Sequence, residues 1–179
     1  MDVKIGMNLR LWAPDPGVEQ LPRLEMLAAQ GYDGVEVPLA GQSESTLKVL
    51  AVALRDLGLE VTTSAHLPAA ANPISPDAAE RQAATDFLRR CVDDSALLGS
   101  RLLCGGFYQA HGVFSDRPPS DREWEWSRRC LREVGEHAGK LGITLAIEFK
   151  SRKEVYQNKT AEAAAHICPE LGLDNMCVA

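Results

Sequence analysis

Nowhere in the 179 residues does an apolar run approach the roughly 20 residues that a membrane span needs. The first apolar stretch begins at Val3, almost directly after Met1, so neither a secretory signal nor a transit segment is expected. No G-x-G-x-x-G follows that stretch, which tells against a dinucleotide-binding sheet. The five cysteines (Cys91, Cys104, Cys130, Cys168, Cys177) are odd in number and lack the paired spacing of a zinc site. Four of them fall inside apolar helix or strand patterns and are expected to be buried free thiols, which suits a reducing compartment. Lys and Arg number 19 against 25 Asp and Glu, a formal net charge of -6, and no Lys/Arg-rich face stands out. A nucleic-acid partner is disfavoured on that ground. The expectation is a cytoplasmic protein with no membrane and no nucleic-acid partner.

What the chain does have is a regular alternation. Apolar strand-like runs begin at Val3, Gly34, Glu60, Arg101, Gly142 and Asn175. Between them lie helical patterns: Leu21 to Gln30, a segment capped by Ser45 and ending at Leu57-Gly58, Ala78 to Leu98, Asp121 to Leu141, and a helix from Ala161 to about Ile167 capped by Thr160. Strand followed by helix, five times over, is the sequence form of repeated βαβ units on a parallel sheet. Either an open doubly wound sheet or a β/α barrel satisfies that pattern. Polar residues recur at the ends of strands one, three, four and five, which favours a barrel mouth. The Gly105-Gly106 pair closing strand four allows close backbone approach. A closed eight-fold barrel usually takes about 250 residues. At the pace seen here the chain stops inside its sixth unit, so the expected fold is an incomplete TIM-barrel-type α/β domain over residues 1–179, part of a longer frame.

The run Gly142-Ile143-Thr144-Leu145-Ala146-Ile147-Glu148 organises the chain. It reads as a short buried strand starting after a helix-ending glycine, with a carboxylate at its C-terminal end. A carboxylate there needs a partner, and the C-terminal ends of parallel strands are where barrel enzymes hold their chemistry. A rim or capping role is the structural alternative.

Four passages resemble the xylose-isomerase-like β/α barrels, and within them the ketose 3-epimerases of the D-tagatose/D-psicose type. Gly6-Met7-Asn8-Leu9-Arg10-Leu11-Trp12 is similar to the family's first strand, which ends in an aromatic beside the sugar. Gly31-Tyr32-Asp33-Gly34-Val35-Glu36-Val37 resembles its second strand. Asn72-Pro73-Ile74-Ser75-Pro76-Asp77, Cys91-Val92-Asp93, Leu98-Gly99-Ser100 and Cys104-Gly105-Gly106 follow its middle third. Most specific is Glu148 with Arg152, Glu154 and Thr160, similar to the pattern E-x-x-N-R-x-E-x-x-x-x-N-T. Ser151 and Lys159 stand where that pattern has Asn, with Asn158 one place early.

The resemblance implies a sugar isomerase or epimerase acting on a small-molecule substrate through an enediolate. It makes Glu148 both metal ligand and acid/base, with Glu154 on the substrate. The implied cofactor is a divalent metal, Mn²⁺, Mg²⁺ or Co²⁺ ahead of Zn²⁺, because hard oxygen donors hold such ions against two substrate oxygens. The implied Asp, His and Glu ligands of strands six to eight lie beyond Ala179, so the 179-residue chain alone is expected to be inactive and prone to self-association. Two carboxylates on opposite faces of carbon 3 would exchange its proton.

Trp12 is read either as a sugar-stacking wall or as a loop aromatic, and Tyr108 as lining the mouth. His66, ending strand three, is a substrate or metal contact with a structural alternative. Arg152 either binds substrate or neutralises Glu148 and Glu154. Trp124 and Trp126 are read as packing or subunit contacts, and His111, His137 and His166 carry no role. Inosose dehydratases and hydroxypyruvate isomerases share such strand-end carboxylates and are the nearer rivals. A zinc-dependent abasic-site endonuclease, in which a strand-three His binds metal, and a non-catalytic barrel fragment are the rivals of other classes.

Overall fold

The structure, a computed structural model, describes residues 3–179. Its strands are β1 (Gly6–Asn8), β2 (Gly34–Leu39), β3 (Glu60–Ala65), β4 (Leu102–Gly105), β5 (Thr144–Ile147) and β6 (Met176–Val178). Between them lie α1 (Leu21–Ala29), α2 (Glu44–Asp56), α3 (Ala78–Leu98), α4 (Asp121–Lys140) and α5 (Ala161–Leu171). The six strands pair in parallel in chain order. Successive helices are also neighbours in space. That is a barrel sector, with β1 and β6 as its unpaired edges.

One face of the sheet is apolar because it carries the helices. Val35, Val37, Leu39, Ala65, Leu103, Leu145 and Ile147 are buried there, against helix residues such as Leu24, Leu50, Leu88 and Leu131. The register places a different set on the opposite face: Asn8, Glu36 and Thr62 in one row, and Pro38, Ser64, Cys104, Ala146 and Cys177 in the next. With period two along each strand, this small or polar face is the barrel interior. Pro38 is tolerated in β2 because β1 has ended at Asn8, so the ladder bond it would lack is not required there.

Helix limits follow capping chemistry. Asp77 Oδ1 accepts from Ala79 N at 2.8 Å, and Gly99, at φ 80°, closes α3 in the left-handed region. The cap of α2 is Ser43, whose hydroxyl accepts from Thr46 N at 3.2 Å; Ser45, the residue expected in that role, already lies in the first turn. Helix α5 continues past Ile167, through Pro169, to Leu171, because its Ala-rich start sustains it and the stop is Gly172. Strand one is shorter than expected, since the Asn8 side chain accepts from Arg10 N at 2.8 Å and turns the chain into a 3₁₀ helix over Leu9–Leu11. Of the thiols, only Cys91 and Cys130 are buried; Cys104 and Cys168 are half-buried, and Cys177 is exposed on the interior face of β6. The expectation of four buried thiols is corrected by that alternation.

The loops that leave β4 and β5 are tied by one carboxylate. Glu123 Oε2 accepts from Ser120 N at 2.7 Å and from the Ser120 hydroxyl at 2.8 Å, completing a capping box at the start of α4. Arg117 donates to both its oxygens, at 2.7 and 3.0 Å, and the Tyr156 hydroxyl donates to Oε1 at 2.9 Å. Burial pushes the carboxyl up, but the Arg117, Ser120 and Tyr156 donors outweigh it and hold it at about 2.

Two outcomes are expected. The folded carboxyl sits below its unfolded value, so its stabilisation is present above about 4.5 and is lost as pH falls toward about 2. Glu123→Gln should cost ~1–2 kcal/mol in urea unfolding at neutral pH and flatten that acid limb; an unchanged limb rejects the assignment. In size-exclusion chromatography the 179-residue chain should elute as a dimer or larger, because both sheet edges offer unpaired backbone groups. A compact monomer at all concentrations contradicts this.

Candidate active site

Residues at or just beyond the C-terminal ends of β1, β3, β4 and β5 meet at one place. The Lys150 ammonium lies 2.6 Å from Glu148 Oε2 and 3.3 Å from His66 Nε2. On the other side of the imidazole, Arg10 Nη1 is 3.4 Å from His66 Nδ1. The His111 ring stands edge-on to His66, with centroids 6.0 Å apart. Gly106 lines the same spot, and a Cβ there would lie 3.4 Å from Lys150 Cγ, in contact with the lysine stem. At Gly105 an added Cβ would collide with the Ala65 carbonyl, which is the close strand approach expected of this pair.

Lys150 is the best-buried charge of the group, its side chain only 9% exposed beside a Glu148 side chain that is 38% exposed. A buried ammonium needs partners, and here they are the carboxylate and the imidazole. Burial, with Lys150 and Arg10 beside it, pushes the His66 imidazolium down to about 4, so the ring is neutral at physiological pH.

Of the residues anticipated from the sequence, Glu148 and His66 share this centre. Glu154 does not: its Oε2 accepts from Ser151 N at 3.2 Å, closing a local turn. The Ser151 donors hold that carboxyl below the usual carboxylate range. Arg152 is exposed and has no ion pair with either carboxylate among the described residues, so the neutralising cation is Lys150 instead. Tyr108 does not line the mouth. It is fully buried and its hydroxyl donates to the Asn158 carbonyl at 3.2 Å, because the chain turns inward after the glycine pair. Burial drives its phenol well above the ordinary value. Trp12 is 37% exposed and has the Arg23 guanidinium 5.5 Å from its ring centre, leaving its aromatic surface partly open. Trp126 lies between Arg81 and Arg122, at 4.2 and 5.0 Å, and Trp124 packs on the core.

Three contributors went unread. Lys150 follows Glu148 by two residues, the spacing that keeps two side chains on one side of an extended segment. Gln109 Oε1 accepts from Tyr156 N at 3.1 Å and from Gln157 N at 2.8 Å, joining the loops after β4 and β5. Glu36, on the interior face, accepts from Asn8 Nδ2 at 2.5 Å; an acidic residue inside the apolar run Val35–Leu39 was its available signal.

The divalent cation implied by the resemblance meets an unsuitable donor set in these residues. One carboxylate and one imidazole are present, and an ammonium is already held between them. Such ions take several hard oxygen donors, and among the described residues no group of three His, Cys, Asp or Glu side chains is gathered for one. These residues by themselves do not make up such a site. His66, flanked by two cations, is equally unsuited to zinc.

Parallel strands in sequential order, helices outside and ionisable groups at the C-terminal mouth define a sector of a β/α barrel. Residues 24–179 match the xylose isomerase-like TIM barrel family, and the chain belongs to that family. It is 28% identical over 174 residues to an L-ribulose 3-epimerase of Mesorhizobium japonicum, spanning 97% of this chain and 58% of that protein. It is 27% identical over 175 residues to a ketose 3-epimerase of Arthrobacter globiformis, spanning 97% and 60%. A solved L-ribulose 3-epimerase structure superposes with a TM-score of 0.89 at 27% identity, over 98% of this chain and 59% of that one. The chain thus spans about three-fifths of the length of these relatives. No helix among the described residues is long and apolar enough to cross a membrane.

The ring protons of His66 give a direct check. Their NMR titration should have its midpoint near 4, and Lys150→Met should move that midpoint upward by removing the adjacent charge. Because the folded value lies below the unfolded one, stability due to His66 should decline as pH falls from about 6.5 to about 4. A midpoint near 6.5 in the unmodified chain rejects this electrostatic account.

Proposed function

We propose that the protein is a sugar isomerase or epimerase of the ketose 3-epimerase kind, acting in the cytoplasm on a small sugar by proton transfer through an enediolate. Residues 1–179 are taken as one partial barrel domain of that enzyme. The observation that carries the reading is the Glu148 carboxylate, at the mouth end of β5, paired at 2.6 Å with the buried Lys150 ammonium. The curated relatives, both ketose 3-epimerases, support it.

Glu148 acts as the base that takes the proton from the carbon next to a ketose carbonyl. Before transfer its negative charge is matched by Lys150. After transfer the carboxyl is neutral and the charge resides on the enediolate, so the same ammonium remains to offset it. Net charge in the site is therefore constant across the step, which limits the reorganisation required. Returning the proton on the opposite face of the carbon takes a second acid. Glu154, turned to Ser151, is not placed for that, so the 179-residue chain alone is proposed to lack turnover.

The test is ketose interconversion followed by chromatography on the whole protein, the 179-residue chain and variants. Glu148→Gln in the whole protein should lower kcat by roughly 100-fold or more with a smaller change in KM. Glu154→Gln should change kcat little and stability slightly. Near-normal turnover of Glu148→Gln overturns the mechanism. Dehydration of an inosose, with no ketose exchange, overturns the epimerase reading in favour of its nearest rival.

A further inference from the structure

The imidazole of His66 is asked to satisfy two cations. Lys150 Nζ approaches Nε2 at 3.3 Å and Arg10 Nη1 approaches Nδ1 at 3.4 Å. A neutral imidazole has one acceptor nitrogen and one N–H; a charged one has two N–H groups and no acceptor. In neither state can the ring accept from both cations. Lys150 is nearly buried and fixed by Glu148, so it retains the Nε2 lone pair. The His66 Nδ1–H then faces the Arg10 guanidinium.

That edge of the mouth is therefore composed of donors only. Arg10 is exposed and forms no ion pair among the described residues. Its one side-chain hydrogen-bond approach among them is to this ring. Around the ring, Arg10 and Lys150 are set against the single carboxylate of Glu148. Arg152, Lys153 and Lys159 stand exposed on the loop that follows Glu148, also without ion pairs among the described residues, in a chain whose net charge is -6. A guanidinium and an imidazole N–H converging without an acceptor suit an oxyanion, which accepts from both and offsets the charge.

We propose that the Arg10–His66 edge is an anion subsite, taking the phosphate or carboxylate group of an anionic ketose. This rests on the ketose reading above and narrows it: the neutral sugar would lack the group that this edge recognises. Phosphate and carboxylate present the same chemistry here, an oxyanion accepting from a guanidinium, and only the choice of sugar separates them.

Calorimetric titration of the whole protein tests this, with D-fructose, D-fructose 6-phosphate, a ketohexuronate and inorganic phosphate as ligands. The parent chain, Arg10→Gln and Arg10→Lys are compared. At least one anionic ketose should bind about tenfold or more tightly than D-fructose, and Arg10→Gln should remove most of that advantage, as expected for one charge-assisted contact. Arg10→Lys should retain part of it. The 6-phosphate and hexuronate arms identify which oxyanion is preferred. Equal binding of D-fructose and the anionic sugars, or an advantage that survives Arg10→Gln, overturns the proposal while leaving the ketose reading intact. Arg10-dependent binding of inorganic phosphate with no sugar bound upholds the subsite and overturns the ketose reading instead. Far-ultraviolet circular dichroism of each variant shows that a lost advantage is not lost folding.

Discussion

An ammonium largely withdrawn from water must be answered by acceptors, and Lys150 sets that condition for the mouth of this sheet. Its side chain is 9% exposed, and the acceptors within reach are Glu148 Oε2 and His66 Nε2. Leaving a buried charge alone costs several kcal/mol, so the ends of β3 and β5 are constrained to hold those two groups in place. The constraint then extends outward. Fixing the Nε2 side of the ring decides what Nδ1 offers to Arg10.

The frame beneath this centre was legible because its signals are local. Gly99 and Gly142 mark helix ends, Thr160 marks a start, and apolar spacing supplies the rest. The limits of α3, Ala78–Leu98, agree with the sequence reading residue for residue. Glu148 was legible too, as a carboxylate ending an apolar strand. The residues misread were those whose neighbours come from distant segments. Tyr108 looks like a mouth aromatic until the loop after β4 folds inward and gives its hydroxyl to Asn158, 50 residues away. Arg152 looks like the counter-charge because it fits a family pattern. Yet Lys150, nearer the strand, reaches the carboxylate first. Sequence spacing specifies which side of a strand a residue takes, and not which of two cations on that segment wins a contact.

Two further ties keep the loops in register around the pair. Glu123 gathers Ser120, Arg117 and Tyr156, and Gln109 accepts from the backbone of Tyr156 and Gln157. Both join the segment after β4 to the segment after β5. Asn72 does the same for the loop after β3, its Oδ1 accepting from Ala110 N at 3.1 Å. The walls of the mouth are thus cross-linked by polar side chains that are buried or nearly so, which localises the strand-end chemistry without strand contacts of its own.

The division of labour within the sheet follows from that arrangement. The helix-facing side uses aliphatic packing, which is indifferent to charge. The interior side carries Asn8, Glu36, Thr62, Ser64 and Cys104, groups too small or too polar to form a dry core by themselves. Burial and the nearby carboxylates push the Cys104 thiol up to about 12, so it stays protonated and contributes no charge. Glu36 is half-buried and linked to Asn8. Charge at the mouth is consequently governed by Arg10, Lys150 and Glu148, with His66 as the neutral element between the two cations. A sector whose interior is otherwise uncharged at its upper rows lets that small set define the field at the mouth. One carboxylate against two cations leaves positive charge in excess at the Arg10 edge, where the proposed anion subsite lies.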